Sequence, residues 1–409
     1  MARPDPHVLT ELDCYALAVK GEPPAELDGV LIRIGPDGRG SAGQPHVGAL
    51  RIRHGHAEWY RARRVRTDAV CRQTGELPSP GPRRCASDNT DAAVIRHGRQ
   101  ILALGEGVLP YELTADLRTK ARCDFDDTLP SGFSSRPIHD SLTGELFAAV
   151  ADPCRESLRY MAVDVKGHVR KYETVPVTDD PSQYAFALTE RHALFLGPTE
   201  IGFMPREGGP EDVRWIDAVN APLGGCDGGN TKPATADQPV NAFELRDGTI
   251  AVDVMHDDGH DSPALWRRVV DPSRGTVHDA LLDDRAQELP VVDPRYQGTN
   301  HRYVVTRLLT GAERNSTALV LHDLAEGTSR LHHADLDRDL GAPVFVPRSP
   351  TADEGDGWVL AFAHNTAQEH DEVVIIDTAD FTGPPVAMIE LPGVGPRESS
   401  ACWLVEQAW

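Results

Sequence analysis

Cysteine, histidine and serine are the residue types here whose spacing could support metal, disulfide or nucleophilic chemistry. The seven cysteines are odd in number and scattered, and no two are separated by only two residues. This spacing predicts reduced thiols rather than a disulfide framework or a zinc site. The pairs His256/His260 and His332/His333 lie among acidic residues, which favours solvated loops over a metal site. No serine lies in a G-x-S-x-G segment, so a serine hydrolase is not predicted.

The charge balance of the 409 residues limits the partners. Lys and Arg total 41 against 63 Asp and Glu, which gives a formal net charge of -22. A field of this sign repels phosphate backbones and anionic lipid headgroups, so we expect neither nucleic-acid binding nor membrane association. No stretch approaches 18 apolar residues, and residues 1–22 lack the apolar core of a signal peptide. These features predict a cytoplasmic protein.

The elements that must position any site read as short strands. Residues 92–107, 184–198, 240–256 and 358–380 each predict a strand, a tight polar turn and a second strand. An all-β chain of this length must protect its sheet edges, and a β-propeller does so by radial repetition. We expect a single domain over 1–409 with an N-terminal extension at 1–20. Loops around 205–237 and 262–290 are expected to form a cap.

Several segments, taken in order, carry a resemblance to a known family. They are GEPPAELDGVLIRIGP from residue 21, HAEWYRARRVRTD at 56–68, LPYELTADLRT at 109–119, FALTERHALFLGP from 186, VNAFELRDGT from 240, ELPVVDPRYQGTNHRY from 288 and APVFVPRSPTADEGDGWVLAF from 342. Together they resemble the carotenoid cleavage oxygenase family, from about residue 21 to 403. The resemblance implies an all-β fold, a seven-bladed β-propeller with a loop and short-helix cap over an axial cavity.

In that family four histidines hold a ferrous iron on the propeller axis, and the resemblance places four other residues at their positions. These residues are Arg136, Tyr184, Gln238 and Ser400. Their separations of 48, 54 and 162 are close to multiples of one period, as one ligand per innermost strand would give. A guanidinium has no lone pair to offer a cation, and the other three are poor ligands for Fe²⁺. We therefore expect no iron and no other cofactor.

Carboxylates that orient the family's histidines are partly retained. Glu106 and Glu288 stand at two of three such positions, whereas the third is Ala342. One interpretation makes them ion-pair partners of Arg136, in place of the metal charge. The other makes one of them a general base whose pKa is raised by burial. Both interpretations remain open on the sequence.

The candidate site therefore comprises Arg136, Glu106, Glu288 and Tyr184 as catalytic residues, with Gln238 and Ser400 in substrate binding. We predict an enzyme that acts without a metal on an apolar, unsaturated small molecule, by isomerisation, cyclisation or elimination. A non-catalytic binding protein for an apocarotenoid, polyene or polyketide-like ligand is the second hypothesis. An oxygenase with a relocated metal is the third. A structural role is favoured for His301.

Overall fold

Tight turns convert the predicted strand pairs into hairpins. Ala93–His97 and Gln100–Leu104 pair with His97 opposite Gln100, and Gly98 between them adopts a φ of 56°, which favours glycine because it has no Cβ. The strands Gln238–Glu244 and Ile250–His256 are joined in the same way around Gly248. The other two predicted pairs also form antiparallel hairpins. The period-two patterns therefore located strands correctly.

The structure, a computed structural model, describes residues 11–36, 43–84, 90–152, 155–218, 237–257, 263–310, 316–396 and 400–405. Its strands are β1 Leu12–Cys14, β2 Val19–Gly21, β3 Asp28–Pro36, β4 Pro45–Arg53, β5 His56–Arg64, β6 Ala93–His97, β7 Gln100–Leu104, β8 Tyr111–Leu113, β9 Thr119–Arg122, β10 Ile138–His139, β11 Leu146–Ala151, β12 Ser157–Val163, β13 Val169–Pro176, β14 Ala185–Leu188, β15 His192–Leu196, β16 Glu200–Pro205, β17 Arg214–Asp217, β18 Gln238–Glu244, β19 Ile250–His256, β20 Ala264–Asp271, β21 Thr276–Asp283, β22 Gln287–Val291, β23 Tyr303–Leu308, β24 Ala318–Asp323, β25 Thr328–His333, β26 Arg338–Pro347, β27 Gly357–Asn365, β28 His370–Asp377, β29 Ala387–Glu390 and β30 Ser400–Val405. One α-helix, α1 Asp68–Thr74, and four 3-10 turns, Pro181–Gln183, Pro210–Asp212, Pro294–Tyr296 and Thr378–Asp380, complete the elements of these residues.

Within the described residues the strands form seven antiparallel sheets, which are the blades of the predicted propeller. Five blades are meanders of four consecutive strands, beginning at β6, β10, β14, β18 and β22. A sixth has the order β2-β29-β28-β27-β26, and the seventh has the order β1-β5-β4-β3-β30. Because β30 from the C-terminal part pairs with β3 from the N-terminal part, the ring of blades is closed by hydrogen bonds.

Apolar side chains between neighbouring blades form the core. One cluster joins Leu31 and Leu50 of the seventh blade to Trp358, Leu360 and Ile375 of the sixth, all nearly inaccessible to solvent. Burial of such contacts at each blade interface removes large apolar areas from water, at about 25 cal/mol per Å². The core is therefore distributed around the ring, and the axis is left for a cavity.

The expected cap differs in part from the structure. Instead of a cap loop, residues 264–283 form β20 and β21, the two outer strands of the β18 blade. The sequence of these strands is polar because charged side chains pair between them, and it therefore suggested a loop. Arg268 lies opposite Asp279 in the strand register, and its Nε donates to Asp279 at 2.9 Å. In the other expected cap segment, β17 is a blade strand, and residues 219–236 lie outside the described residues.

The N-terminal extension expected at 1–20 contributes to the sheets where it is described. Strand β1 pairs with β5, and β2 pairs with β29, so both add an outer edge strand to a blade. Residues 1–10 lie outside the described residues. No helix in the described ranges is long and apolar enough to cross a membrane.

Candidate functional site: a cavity on the propeller axis

The inner edges of six blades surround one cavity of about 830 Å³. Each of β10, β14, β18, β22, β26 and β30 is the terminal strand of its sheet and contributes lining residues. The lining is largely apolar, with Phe186, Val240, Val344, Phe345 and Trp403 among its side chains. A volume of this size lies within the range of small-molecule pockets. The geometry therefore provides an axial binding site.

Arg136 lines this cavity just before β10. Its side chain is exposed, and its guanidinium has no hydrogen-bond or ion-pair partner among the described residues. The other two arginines of the lining are paired: Arg295 donates to Asp293, and Arg348 lies 2.7 Å from both Asp356 and Asp377. Arg136 thus presents an uncompensated positive charge to the cavity.

Gln238 also lines the cavity, as the first residue of β18. Its side-chain amide has no hydrogen-bond partner within the described ranges, whereas the side chain of Asn241, three residues on, is fully hydrogen-bonded. Asn241 donates to the carbonyl oxygens of Tyr296 and Thr299 at 3.0 and 2.9 Å, and it accepts from Gly298 N at 2.8 Å. These bonds fix the inner strand against the loop that follows β22, so Gln238 is carried on a rigid element.

His301 lies behind Asn241 and has a structural environment, as expected. Its Nδ1 is 3.1 Å from Asn241 Nδ2, and its Nε2 is 3.1 Å from Asp253 Oδ2. Asp253 is in turn held by Arg267 through two hydrogen bonds of 2.7 and 2.8 Å. The side chain of His301 is fully buried, so it does not face the cavity.

Glu106 does not pair with Arg136. Its Oε2 accepts hydrogen bonds from Ser135 N at 2.9 Å and from Ser135 Oγ at 2.5 Å. Ser135 is buried and adjoins Arg136, so Glu106 fixes the backbone from which the arginine projects. No ion pair joins the two charged groups in the described part of the chain, and the ion-pair interpretation is wrong for this carboxylate. The sequence did not predict this partner, because no sequence motif marks a hydrogen bond between a serine and a carboxylate.

Glu288 is likewise bound elsewhere. Arg307 Nη1 donates to Glu288 Oε1 at 2.7 Å, and Arg307 Nη2 donates to Asp339 Oδ1 at 2.9 Å. Arg307 is on β23, the strand next to Glu288, so the cation comes from the same blade rather than from Arg136. Arg307 therefore takes the place that the ion-pair interpretation gave to Arg136.

Tyr184 and Ser400 are not among the lining residues. The Tyr184 hydroxyl donates to Glu200 Oε1 at 2.5 Å, and its ring packs edge-on against Trp215, within the β14 blade. Desolvation and the Glu200 hydrogen bond raise the pKa of Tyr184 well above its usual value. Ser400 is exposed and pairs with Ile34, and its neighbours Ala401 and Trp403 line the cavity instead.

The expectation of solvated loops for the histidine pairs is wrong for their described members: His256 ends β19, and His332 and His333 lie on β25, with His332 buried. His256 Nδ1 lies 2.7 Å from Asp237, and this hydrogen bond raises the pKa of His256. His332 lies 3.2 Å from the Phe381 carbonyl oxygen, and His260 lies outside the described residues. Across the described ranges, no three His, Cys, Asp or Glu side chains form a group that could hold a metal ion.

Comparisons with known proteins are consistent over nearly the full length. The family model described as retinal pigment epithelial membrane protein matches residues 6–404. A carotenoid cleavage oxygenase of Mycobacterium tuberculosis is 28% identical, with 97% of this chain and 95% of the relative covered. The apocarotenoid-15,15'-oxygenase of Synechocystis is 27% identical, with 96% and 94% covered.

Solved structures agree in fold. The lignostilbene dioxygenase of Pseudomonas brassicacearum superimposes with a TM-score of 0.83 at 24% identity, over 97% of this chain and 96% of that one. A cobalt-substituted Synechocystis apocarotenoid oxygenase has a TM-score of 0.78 at 23% identity, over the same shares. At these identities the likeness shows a shared seven-bladed architecture.

The comparisons contradict the expectation that the protein has no cofactor, because its relatives are iron-dependent. The side chains at the four aligned positions do not fit that ion, however. Arg136 and Gln238 offer a guanidinium and an amide, the Tyr184 hydroxyl is committed to Glu200, and Ser400 lies outside the lining.

The motifs in their order, the seven blades and the axial cavity all agree with the comparisons. The family model covers far more than half of the chain. This protein belongs to the family described as retinal pigment epithelial membrane protein, the carotenoid cleavage oxygenase family.

Proposed function

We propose that this protein is an enzyme that binds an apolar, unsaturated small molecule in the axial cavity and rearranges it without net oxidation. The reaction class is isomerisation, cyclisation or elimination. The observation that carries the proposal is an apolar cavity whose wall carries a guanidinium and an amide that have no side-chain partner among the described residues. The absence of imidazole at the four aligned positions separates this chain from the oxidative chemistry named for its relatives.

The cavity would act first by orientation. An extended unsaturated chain held between Phe186, Phe345 and Trp403 loses its alternative conformations on binding. Orientation of reacting groups in this way lowers the activation barrier by at most roughly 7–11 kcal/mol. Arg136 and Gln238 both carry N–H donors for an oxygen atom of the substrate, and such donors stabilise negative charge that develops there.

The remaining predicted residues serve a different role in this proposal. Glu106 holds the Ser135 backbone, and Glu288 is held by Arg307, so both are treated as positioning groups. Tyr184 and Ser400 are not assigned a part in the chemistry. Only Arg136 and Gln238 are retained as contacts to the substrate.

A non-catalytic binding protein is the second candidate, and one observation favours it. Each carboxylate predicted to act as a base is bound by a neighbouring donor, and neither is among the lining residues. Proton abstraction in the cavity therefore has no evident acceptor from the predicted set. A ligand bound without turnover would be the expected behaviour of such a protein.

The test compares the mass of a polyene aldehyde with the masses of the products formed from it. The full chain is incubated with all-trans-retinal in the presence of ferrous iron and dioxygen, and products are identified by liquid chromatography and mass spectrometry. Isomerisation or cyclisation gives a product of unchanged mass, and elimination gives a product lighter by the leaving group and one proton. Two oxygenated fragments would show oxidative cleavage and contradict the proposal. Binding without any product would select the second candidate.

The site assignment is tested by removal of the cation. Substitution Arg136→Ala is expected to lower turnover by about 10²–10³, because a well-placed donor to a developing charge contributes about 3–4 kcal/mol. Arg136→Lys should recover only part of this loss, since an ammonium lacks the planar fork. The matched control is Arg214→Ala, which removes an exposed arginine from β17 at a distance from the lining. Unchanged turnover in Arg136→Ala would place the chemistry elsewhere.

A further inference from the structure

We propose that the molecule held in the axial cavity is a carboxylic acid, with its carboxylate on Arg136 and its hydrocarbon part directed along the axis. This inference rests on the proposed function, because it names the substrate class of the same cavity. It adds a charge and an orientation that the comparisons do not supply.

The balance of charge in the lining is the first argument. Arg295 and Arg348 are neutralised by Asp293, Asp356 and Asp377. Desolvation and the nearby His97 lower the pKa of His139, the histidine of the described lining, which favours its uncharged form. Arg136 is therefore the cation of the described lining whose charge no protein group balances. An anionic group of the ligand would balance it.

The position of this charge along the axis is the second argument. Each blade repeats the same antiparallel order, so the inner strands run in one direction along the axis. Arg136 and Gln238 stand where β10 and β18 begin. Glu26 also lines the cavity, and it lies in sequence just before β3, where Gly29 pairs with Val405 at the end of β30. A cation at the start of the inner strands and a carboxylate beside the end of β30 orient a ligand whose acid group faces Arg136.

The chemistry of the guanidinium is the third argument. Its planar guanidinium donates two parallel hydrogen bonds to the two oxygens of a carboxylate, and the opposite charges strengthen both bonds. An alcohol or an aldehyde has a single, uncharged oxygen, so it gains neither the second parallel bond nor the charge. The net charge of -22 disfavours any anion at the surface, so a carboxylate requires a dedicated local cation. The apolar wall formed by Val240, Val344 and Phe345 fits the hydrocarbon part of the same molecule.

The experiment compares two ligands with one carbon skeleton. All-trans-retinoic acid and all-trans-retinol are titrated into the full chain, and binding is followed by quenching of Trp403, which lines the cavity. The Trp403→Phe variant identifies the part of the signal that comes from this residue. The wild-type protein is expected to bind the acid about tenfold or more tightly than the alcohol.

The Arg136→Gln variant is expected to lose about tenfold to a hundredfold in affinity for the acid and little for the alcohol, because only the acid uses the charge. Arg136→Lys should retain part of the preference, and Arg214→Gln should change neither affinity. If the wild type binds both ligands equally, or Arg136→Gln weakens both alike, the carboxylate proposal is overturned while the apolar cavity stands. If neither ligand binds to the wild type, the proposed function itself fails.

Discussion

Arginine side chains in this protein differ by whether a carboxylate balances their charge. Arg33 is the opposite case to Arg136: its Nη2 lies 2.5 Å from Asp371 Oδ2, and both side chains are nearly inaccessible, at 4% and 3% exposure. Asp371 also accepts from Gly395 N at 2.7 Å and lies 2.9 Å from His364 Nδ1. A buried charge with this many partners is structural, whereas a free one in a cavity is available to a ligand.

This pair gives a prediction about stability at the residue scale. Asp371→Asn leaves the Arg33 guanidinium buried without its counter-charge, so we expect a loss of about 3–5 kcal/mol in the free energy of unfolding, measured in urea. The control is Glu390→Gln, which breaks the exposed Lys20–Glu390 pair and should cost less than about 1 kcal/mol. Equal effects of the two substitutions would contradict the structural role of Arg33.

The same pair has a pH dependence with a definite sign. Desolvation alone raises the pKa of Asp371, but the charge of Arg33 and the hydrogen bonds from His364 and Gly395 outweigh it, so the pKa is lowered. A lowered folded-state pKa contributes stability above the ordinary aspartate range, and this contribution is lost as the pH falls through the lowered value. The difference between wild type and Asp371→Asn should therefore shrink on acidification.

At the scale of elements, the closure of the ring connects the fold to the cavity. Trp403 on β30 lines the cavity and also packs on Gly29 of β3, where a Cβ would lie 2.4 Å from the indole ring. Gly29 is therefore required by close approach rather than by its backbone angles. A side chain at this position must displace either the tryptophan or the strand.

We predict that Gly29→Ala lowers the free energy of unfolding by about 1–3 kcal/mol, because overpacking in a filled interior forces shifts of this size. The measurement is thermal unfolding together with the fluorescence of Trp403. In the Trp403→Phe background the smaller ring relieves the contact, so Gly29→Ala should cost less there. Additive effects in this double-mutant cycle would show that the two residues are not coupled.

At the scale of the whole molecule, the net charge and the local cation act in opposite directions on an anionic ligand. The surface field of a protein with charge -22 slows the approach of a carboxylate, and salt screens this field within about 10 Å at ordinary ionic strength. We predict that the association rate of retinoic acid, measured by stopped-flow quenching, rises with salt. The rate for retinol, which has no charge, should stay constant.

The arrangement of motifs along the chain is the part that the sequence by itself determined. The alternation of apolar and polar residues located hairpins such as 93–104 and 238–256, because side-chain direction in a strand follows a period of two. The ordered motifs then predicted seven blades around an axial cavity, and the structure and the comparisons confirm both the fold and the family. The single-domain assignment and the cytoplasmic location stay predictions.

The partners of individual polar groups were decided only by the tertiary structure. Glu106 bonds to Ser135 and Glu288 to Arg307, although one of the two interpretations drawn from the resemblance paired both with Arg136. Tyr184 points into its own blade, whereas Arg136 and Gln238 reach the cavity. A motif aligns positions along the chain, but a side chain takes the nearest donor or acceptor in space. That choice depends on strand register and packing, which no local pattern encodes.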